Sequence, residues 1–415
     1  MPADLPATAD VAIIGAGPAG LAAAVRLRER GIGHVVVLDR EAEPGGIPRH
    51  CGHYPYGVRE YGRLMKGPAY ARRNVEAARR AGVAIFPRTT VVRLDAGPLL
   101  TVSRDDGVSQ IAAGRVLLST GVREATRAQR LIGGTKPGGV LSTGALQGLV
   151  YLEGLRPFER PVVLGTELVA FSALMTCGHL GIRPVAMIEP GAATTARWPA
   201  GLYPRLRGIP LLLGTRIEEI VGRERVEAVV VRGPDGARRT IGTDGVIVSG
   251  GFRPEATLLD ASHLVRDPRT GGPEVDQFGR CSDPAFFAAG NMLHPVETAG
   301  WCWREGRAVA DAIADSLAGL LPARDAVVRL ETSGDMLKYV LPQVLVPDRR
   351  AAPLGRLQLR LSRPAHGTLT LRQGTDARAL ARIDSRPERR ITVPLDRLPP
   401  LVSGQAQLAL QDGPR

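Results

Sequence analysis

Lysine is almost missing from this 415-residue chain: Lys66, Lys136 and Lys338 stand alone, so nearly all of its 54 basic residues are arginine. Aromatic residues are scarce as well, at 4%. The arginines are scattered, without a block of like charge or interleaved aromatics, so a net charge of +13 does not by itself indicate nucleic-acid binding. It reads as a compositional bias toward Arg, Ala, Gly and Pro that still favours anionic ligands. No segment reaches 18 uninterrupted apolar residues, so no membrane-spanning helix is expected. The Met1-Pro2-Ala3-Asp4 start lacks a basic n-region, and the apolar run behind it is broken by glycines and a proline. No signal peptide is expected, and the cytoplasm is the default compartment. Four cysteines (Cys51, Cys177, Cys281, Cys302) form no C-x-x-C pair. That excludes an iron–sulfur cluster or structural zinc built from this chain's cysteines alone, and it fits a reducing compartment. His50 and His53 lack a third ligand at any recognised spacing, so no metal site is expected.

What the chain does have is a glycine-rich stretch close to its start. Val11 to Ile14 reads as a buried strand, and Gly15, Gly17 and Gly20 follow with G-x-G-x-x-G spacing through Pro18 and Ala19. A helix continues through Leu27. Gly15 permits the tight turn, Gly17 lets a pyrophosphate approach the backbone, and Gly20 brings helix and strand together. The helix start offers free N–H groups and a positive dipole end to phosphates. A second apolar run, His34 to Leu38, ends at Asp39, close to the roughly 20 positions beyond the last glycine at which a ribose-binding carboxylate is expected. Strand, glycines, helix and acid together predict dinucleotide binding.

Further along, Gly45-Gly46 leaves backbone N–H groups accessible in a loop that ends at His53. A helix is predicted over 60–82, then short strands at 83–86 and 90–94 and a buried strand from Arg115 into Ser119-Thr120-Gly121. Residues 122–160 read as a connector rich in Gly, Pro and Arg. A second βαβ unit then begins with Val162-Val163-Leu164 and Gly165, runs as a helix to about His179, and closes on a strand ending at Glu189. Its fingerprint is degraded: Glu167 and Ala170 stand where the second and third glycines belong, and a carboxylate there meets a pyrophosphate with the wrong charge. Val246 to Gly251 repeats the pattern of Val116 to Gly121. Gly290-Asn291 and Thr298 precede a long helix through Ala318, with Thr298 at its N-cap. From about residue 326, alternating runs such as Arg356-Leu357-Gln358-Leu359-Arg360-Leu361 predict a small antiparallel β domain that docks to a partner or to the parent domain and carries no catalytic group.

This order of motifs, from residue 10 to about 320, resembles the FAD-dependent pyridine nucleotide–disulfide oxidoreductase superfamily. The loop at 45–53, the Pro-Gly-Gly-Val at 137–140 and the segment 296–306 are similar to one branch of it. That branch supplies alpha-type FAD subunits of opine, sarcosine and amino-acid dehydrogenases and oxidases. The resemblance implies an α/β fold of two Rossmann-like domains, binding FAD and NAD(P), each a three-layer ββα arrangement, plus a small C-terminal β-rich domain. The FAD-binding domain is expected at 1–122 and 245–324, the connector and second nucleotide-type domain at 123–244, and the β-rich domain at 325–415. In the family pattern FAD is held by Gly15, Gly17, Pro18, Ala19, Gly20, Asp39, Arg40, Gly45 and Gly46, by the backbone at Val91, and by Thr120 and Gly121. Gly290 and Asn291 meet the ribityl chain, and the N–H groups of Gly300 and Trp301 the flavin edge, where donors stabilise reduced flavin. Disulfide reductases carry a cysteine pair after the Gly-Gly loop. Here Cys51 stands alone beside His53, and the two are the candidate catalytic residues, against a packing role for the thiol. The function implied is electron transfer between bound FAD and a small organic donor or NAD(P)H, in a subunit paired with a second oxidoreductase chain or in a homo-oligomer. The alternative is a non-catalytic FAD-binding scaffold whose second nucleotide site is degenerate.

Overall fold

The computed structural model describes residues 4–347 and 352–412; the Met1-Pro2-Ala3 start on which the leader reading rests lies outside them. Strand β1 (Thr8–Ile14) is buried without interruption from Val11 to Ile14, as a strand covered on both faces must be. It feeds helix α1 (Pro18–Glu29), whose start is pre-shaped by Pro18. Parallel to β1 runs β2 (Val35–Leu38). The helix predicted over 60–82 is split into α2 (Val58–Tyr61) and α3 (Gly67–Arg80), because Gly62 takes a left-handed conformation, φ 61°, and ends α2. Strand β3 (Ala84–Phe86) extends the sheet beyond β2, and β4 (Thr90–Asp95) and β5 (Leu99–Arg104) form an antiparallel hairpin. Strand β6 (Gly107–Leu118) pairs in two ways: its first half is antiparallel to β5 and its second half parallel to β1.

The chain leaves this unit through β7 (Val122–Arg123) and enters a second one. The stretch read as a connector holds β8 (Gly133–Gly134), β9 (Val140–Ser142) and α4 (Thr143–Tyr151). After β10 (Val162–Leu164), α5 (Leu168–His179) and β11 (Ala186–Glu189) come α6 (Leu202–Leu206) and β12 (Leu211–Leu213). An antiparallel meander follows, of β13 (Arg216–Val221), β14 (Ala228–Arg232) and β15 (Arg238–Gly242), and then β16 (Val246–Val248). Strands β12-β11-β10-β16-β9 make one parallel sheet. The boundary expected at residue 245 therefore moves. β16 pairs with β10 and β9, and the chain returns only at β17 (Arg253–Pro254), antiparallel to β7.

Past the short α7 (Thr257–Asp260), β18 (Phe286–Ala288) joins the first sheet beside β6. Helix α8 (Ala299–Leu317) then crosses α1 so closely that a Cβ at Gly306 would stand 2.1 Å from the Ala19 carbonyl oxygen. The last region comprises β19 (Val328–Thr332), β20 (Leu337–Leu341), β21 (Val344–Leu345), β22 (Arg356–Leu361), β23 (Ala365–Gln373), β24 (Asp376–Ser385), β25 (Ile391–Pro394) and β26 (Gly404–Asp412). They form two sheets, β21-β19-β26-β23-β24 and β20-β22-β25, around a leucine-rich core. One pairing departs from the antiparallel expectation: β19 and β26 are parallel. The β region docks on the first unit. Leu341 and Leu354 enter its core, and the Gln277 side-chain amide exchanges hydrogen bonds of 2.6 and 2.9 Å with the Val346 backbone.

Candidate functional site

The turn between β1 and α1 treats its three glycines differently. Gly15 has φ +104°, and a Cβ there would stand 2.5 Å from the Ser119 carbonyl oxygen. At Gly20 a Cβ would meet the Gly15 carbonyl oxygen at 2.1 Å, so strand and helix touch through bare backbone. At Gly17, the N-cap of α1, a Cβ would find no atom within 4 Å. Packing needs the first and third glycines, and only the middle one faces open space. The Gly-Gly loop closes one side of that space: Gly45 N–H donates to the Ala16 carbonyl at 2.9 Å, and a Cβ at Gly46 would lie 2.8 Å from the Gly17 Cα. The Ser119 hydroxyl donates back to this turn, 2.9 Å from the Ile14 carbonyl oxygen. Sequence reasoning passed over Ser119 for its neighbours. Thr120 bonds the Glu255 carbonyl at 2.8 Å, and Gly121 is left-handed at φ 76°.

Asp39 is buried at the end of β2, and its carboxylate accepts from the N–H groups of Ala16 at 2.6 Å and Glu41 at 2.8 Å. Burial pushes its carboxyl above the ordinary value, while those two donors pull the other way. Each oxygen keeps a lone pair, so the group both ties the loops together and retains acceptor capacity toward a ribose. Arg40 is exposed beside Glu41 and Glu255, and the buried Val91 side chain lies in the core of β4. Near this loop Arg49 Nε and His50 Nε2 are buried with no hydrogen-bond partner. Burial and the adjacent Arg49 hold the His50 imidazole below its ordinary pKa. The open Gly17 cradle and these orphaned polar atoms fit a bound dinucleotide.

The segment between β18 and α8 is held from within and from the β region. Asn291 folds its side-chain amide onto Glu297, accepting from the Glu297 N–H at 2.6 Å and donating to its carbonyl at 3.1 Å. Its expected ribityl contact therefore competes with a loop clamp. Gly290 N–H donates to Glu305 at 2.7 Å, and the other Glu305 oxygen lies 3.0 Å from Nε2 of the buried His294. Burial alone would raise the Glu305 carboxyl, but the His294 imidazole and the Gly290 donor hold it below the usual carboxylate range. From the β region, the fully buried Arg360 pairs with Glu297, Arg390 Nε stands 3.6 Å from the same carboxylate, and the Tyr339 hydroxyl donates to the Pro295 carbonyl at 3.3 Å. Trp301 is flanked by the guanidinium groups of Arg390, Arg59 and Arg304, 4.2, 5.1 and 5.7 Å from its ring centroid. Its N–H is already donated to the Thr298 carbonyl at 2.9 Å. Of the two N–H groups expected at the flavin edge only that of Gly300 is left, and a Cβ at Gly300 would meet the Glu60 carboxylate at 2.9 Å.

Cys51 lacks what a nucleophile needs. Its thiol is buried, lies 3.4 Å from the Gln147 side-chain oxygen, and is pushed up to about 11 by that burial. His53 turns its Nδ1 to the Tyr54 carbonyl, 3.0 Å away, and packs against Tyr56. Burial outweighs the Tyr56 hydroxyl, which pulls the thiol the other way, and this environment favours the packing role over the redox one. Iodoacetamide at pH 8 is accordingly expected to leave Cys51 unlabelled in the folded protein while it labels a denatured control; rapid labelling of the native chain would refute the burial argument. All four cysteines are free and buried, and no group of three metal-ligating side chains occurs among the described residues.

The second unit repeats this architecture position by position. Gly165 is left-handed at φ +109° and faces Ser249 as Gly15 faces Ser119. Glu189 ends β11 as Asp39 follows β2, accepting from the Gly191 N–H at 2.8 Å and from the Thr166 hydroxyl. The N-cap of α5 is Glu167, where α1 has Gly17.

Comparison with known proteins agrees with this geometry. The family model described as pyridine nucleotide-disulphide oxidoreductase matches residues 9–306. The chain belongs to that family of FAD-dependent oxidoreductases. It is 27% identical over 350 residues to the A subunit of opine oxidase from Agrobacterium tumefaciens (strain Ach5), covering 78% of this chain and 66% of that protein. It is 27% identical over 342 residues to the alpha subunit of sarcosine oxidase from Rhizobium meliloti (strain 1021), covering 78% of this chain and 32% of the relative. The chain thus spans just under two-thirds of one relative and about a third of the other. In fold it is similar to the crystal structure of T. acidophilum thioredoxin reductase, with a TM-score of 0.63 at 22% identity over 75% of this chain and 99% of that one. No helix among the described residues is long and apolar enough to cross a membrane.

Proposed function

We propose that this chain holds FAD across the β1–α1 turn and works as the flavin-carrying subunit of a multi-component oxidase or dehydrogenase. Electrons would pass between a small organic donor and a partner chain. The observation that carries the reading is the Gly15, Gly17, Gly20 turn, in which only the middle glycine faces open space. The names of the relatives, each one component of an oxidase, support the multi-component part.

Bound FAD would supply reversible two-electron chemistry. The residues that would hold it are Gly15 to Gly20, Gly45 and Gly46 at the pyrophosphate, with Asp39 toward the ribose. Thr120, Gly121, Gly290 and Gly300 would meet the remainder. The start of α1 would set a positive dipole end against the phosphates. His294, buried with Nδ1 unpartnered and Nε2 on Glu305, is the group of this region able to hold or move a proton.

The test is the visible spectrum of the purified protein and of Gly17→Val. The wild type is expected to show oxidised-flavin bands. Gly17→Val should stay folded, since its side chain meets open space, and lose at least about tenfold in FAD affinity, the equivalent of roughly 1.4 kcal/mol. Folded wild type that takes up no FAD when offered it would overturn the reading. Flavin that binds but is reduced by no donor, with or without a partner, would move the protein to the scaffold alternative.

A further inference from the structure

The two nucleotide-type units differ at one structurally equivalent position, and the difference has a visible result. At the N-cap of α1 stands Gly17, with nothing within 4 Å of its absent side chain. At the N-cap of α5 stands Glu167, whose carboxylate accepts from the Gly251 N–H at 3.1 Å. That carboxylate lies so tightly over the neighbouring turn that a Cβ at Gly250 would approach it to 2.3 Å. The Gly250 N–H is taken as well, by Glu124 at 3.0 Å, whose second oxygen accepts from Gly144 N–H at 2.7 Å. Both glycine N–H groups at the crossing of the parallel strands, the place where open α/β sheets bind ligands, are thus satisfied by the chain's own acids. The Thr166 hydroxyl, which bonds Glu189, completes the closure on the side where a ribose would sit.

We propose that Glu167 seals the second dinucleotide unit and is the residue that decides its specificity. Its carboxylate takes the seat a dinucleotide pyrophosphate would need at the start of α5, so this unit excludes NADH and NADPH. An added dianion would have to displace a carboxyl group bonded to the Gly251 N–H and find room beside the Glu124 side chain that already holds the Gly250 N–H. The charged groups facing Glu167 from other elements are Arg130, and Lys338 and Glu388 of the β region. Reducing equivalents reach the flavin unit by a route other than this unit. The inference rests on the reading of the first unit as an FAD site only for its last step, and the experiment keeps the two apart.

Full-length wild type, Glu167→Gly and Glu167→Gln are titrated with NADH, NADPH and ADP by calorimetry, after the FAD content of each has been read from its spectrum. Wild type and Glu167→Gln, which keeps the side-chain bulk, are expected to show no binding at about 1 mM nucleotide. Glu167→Gly, which recreates the Gly17 arrangement, should bind at least tenfold more tightly than wild type. Stoichiometric binding of NADH or NADPH to wild type overturns the proposal, whatever the flavin content. So does a folded Glu167→Gly that gains no affinity for any of the three. Absence of FAD from all three proteins would count against the flavin reading and leave the calorimetric comparison intact.

Discussion

Arg360→Met is expected to destabilise the protein by about 3 kcal/mol, near the lower end of what removing one member of a buried ion pair does. Arg360 is 1% exposed, and its partner Glu297 is buried in turn. Without the guanidinium, Glu297 is left in a poorly solvated place with Arg390, at 3.6 Å, to balance it. That residual attraction is why the lower end is expected rather than the upper. Adding Glu297→Gln should recover more than half of the loss, because the stranded charge disappears with it. Urea unfolding of the three variants measures this. A single-variant loss below about 1 kcal/mol would mean that Arg390 alone neutralises the carboxylate. The same series should show whether the loop from Gly290 to Glu305 keeps its shape, since Gln358 of the β region also donates to Glu305, at 3.4 Å.

Glu167→Gln is expected to do the opposite and stabilise the protein, in a pH-dependent way. Burial, with the Glu388 charge adding to it, pushes the Glu167 carboxyl up to about 7 from an ordinary value near 4.5. Below about pH 4.5 the group is protonated in both folded and unfolded chains and contributes no difference. As the pH rises through the window to about 7, the unfolded chain releases its proton while the folded chain retains it, so stability falls. Above pH 7 the full deficit of about 3 kcal/mol is in place, since a tenfold change in proton affinity corresponds to about 1.36 kcal/mol. The stability difference between Glu167→Gln and wild type should therefore grow from near zero at about pH 4.5 to about 3 kcal/mol at about pH 8. A difference that stays flat across that range would show that the carboxyl is not perturbed.

The first unit is legible in the sequence almost completely, for a physical reason. A dinucleotide turn needs each glycine for a separate purpose, and the structure gives the three separate surroundings, with backbone in contact at Gly15 and Gly20 and open space at Gly17. The second unit is legible through the same repeat, and the carboxylate at Glu167 stands out because it breaks it. Elsewhere local pattern gives way to pairing. Val246–Val248 looks like a strand of either unit, and only its hydrogen bonds to β10 and β9 decide between them. The β region shows the larger gap. Arginine and glutamine alternate with leucine from Arg356 to Leu361, which by period two puts the polar face in water. In the structure Gln358 and Arg360 are buried, because that face is covered by the first unit. A polar residue on the second face of a covered strand leaves no mark in the alternation. Ser119 escapes notice for a similar reason: its hydroxyl matters through backbone carbonyls that no sequence pattern displays.

The two crossings between the nucleotide-type units, β7 and β17, run side by side as one short antiparallel ribbon. The units also meet away from the ribbon, where the Cys51 thiol lies 3.4 Å from the Gln147 side-chain oxygen and a Cβ at Gly52 would stand 2.2 Å from the Tyr151 ring. A ribbon and a second point of contact together resist the turning that a ribbon alone would allow. Mechanically Gly52 is the clearance in that joint, so any side chain there would wedge the two units apart while each stayed folded.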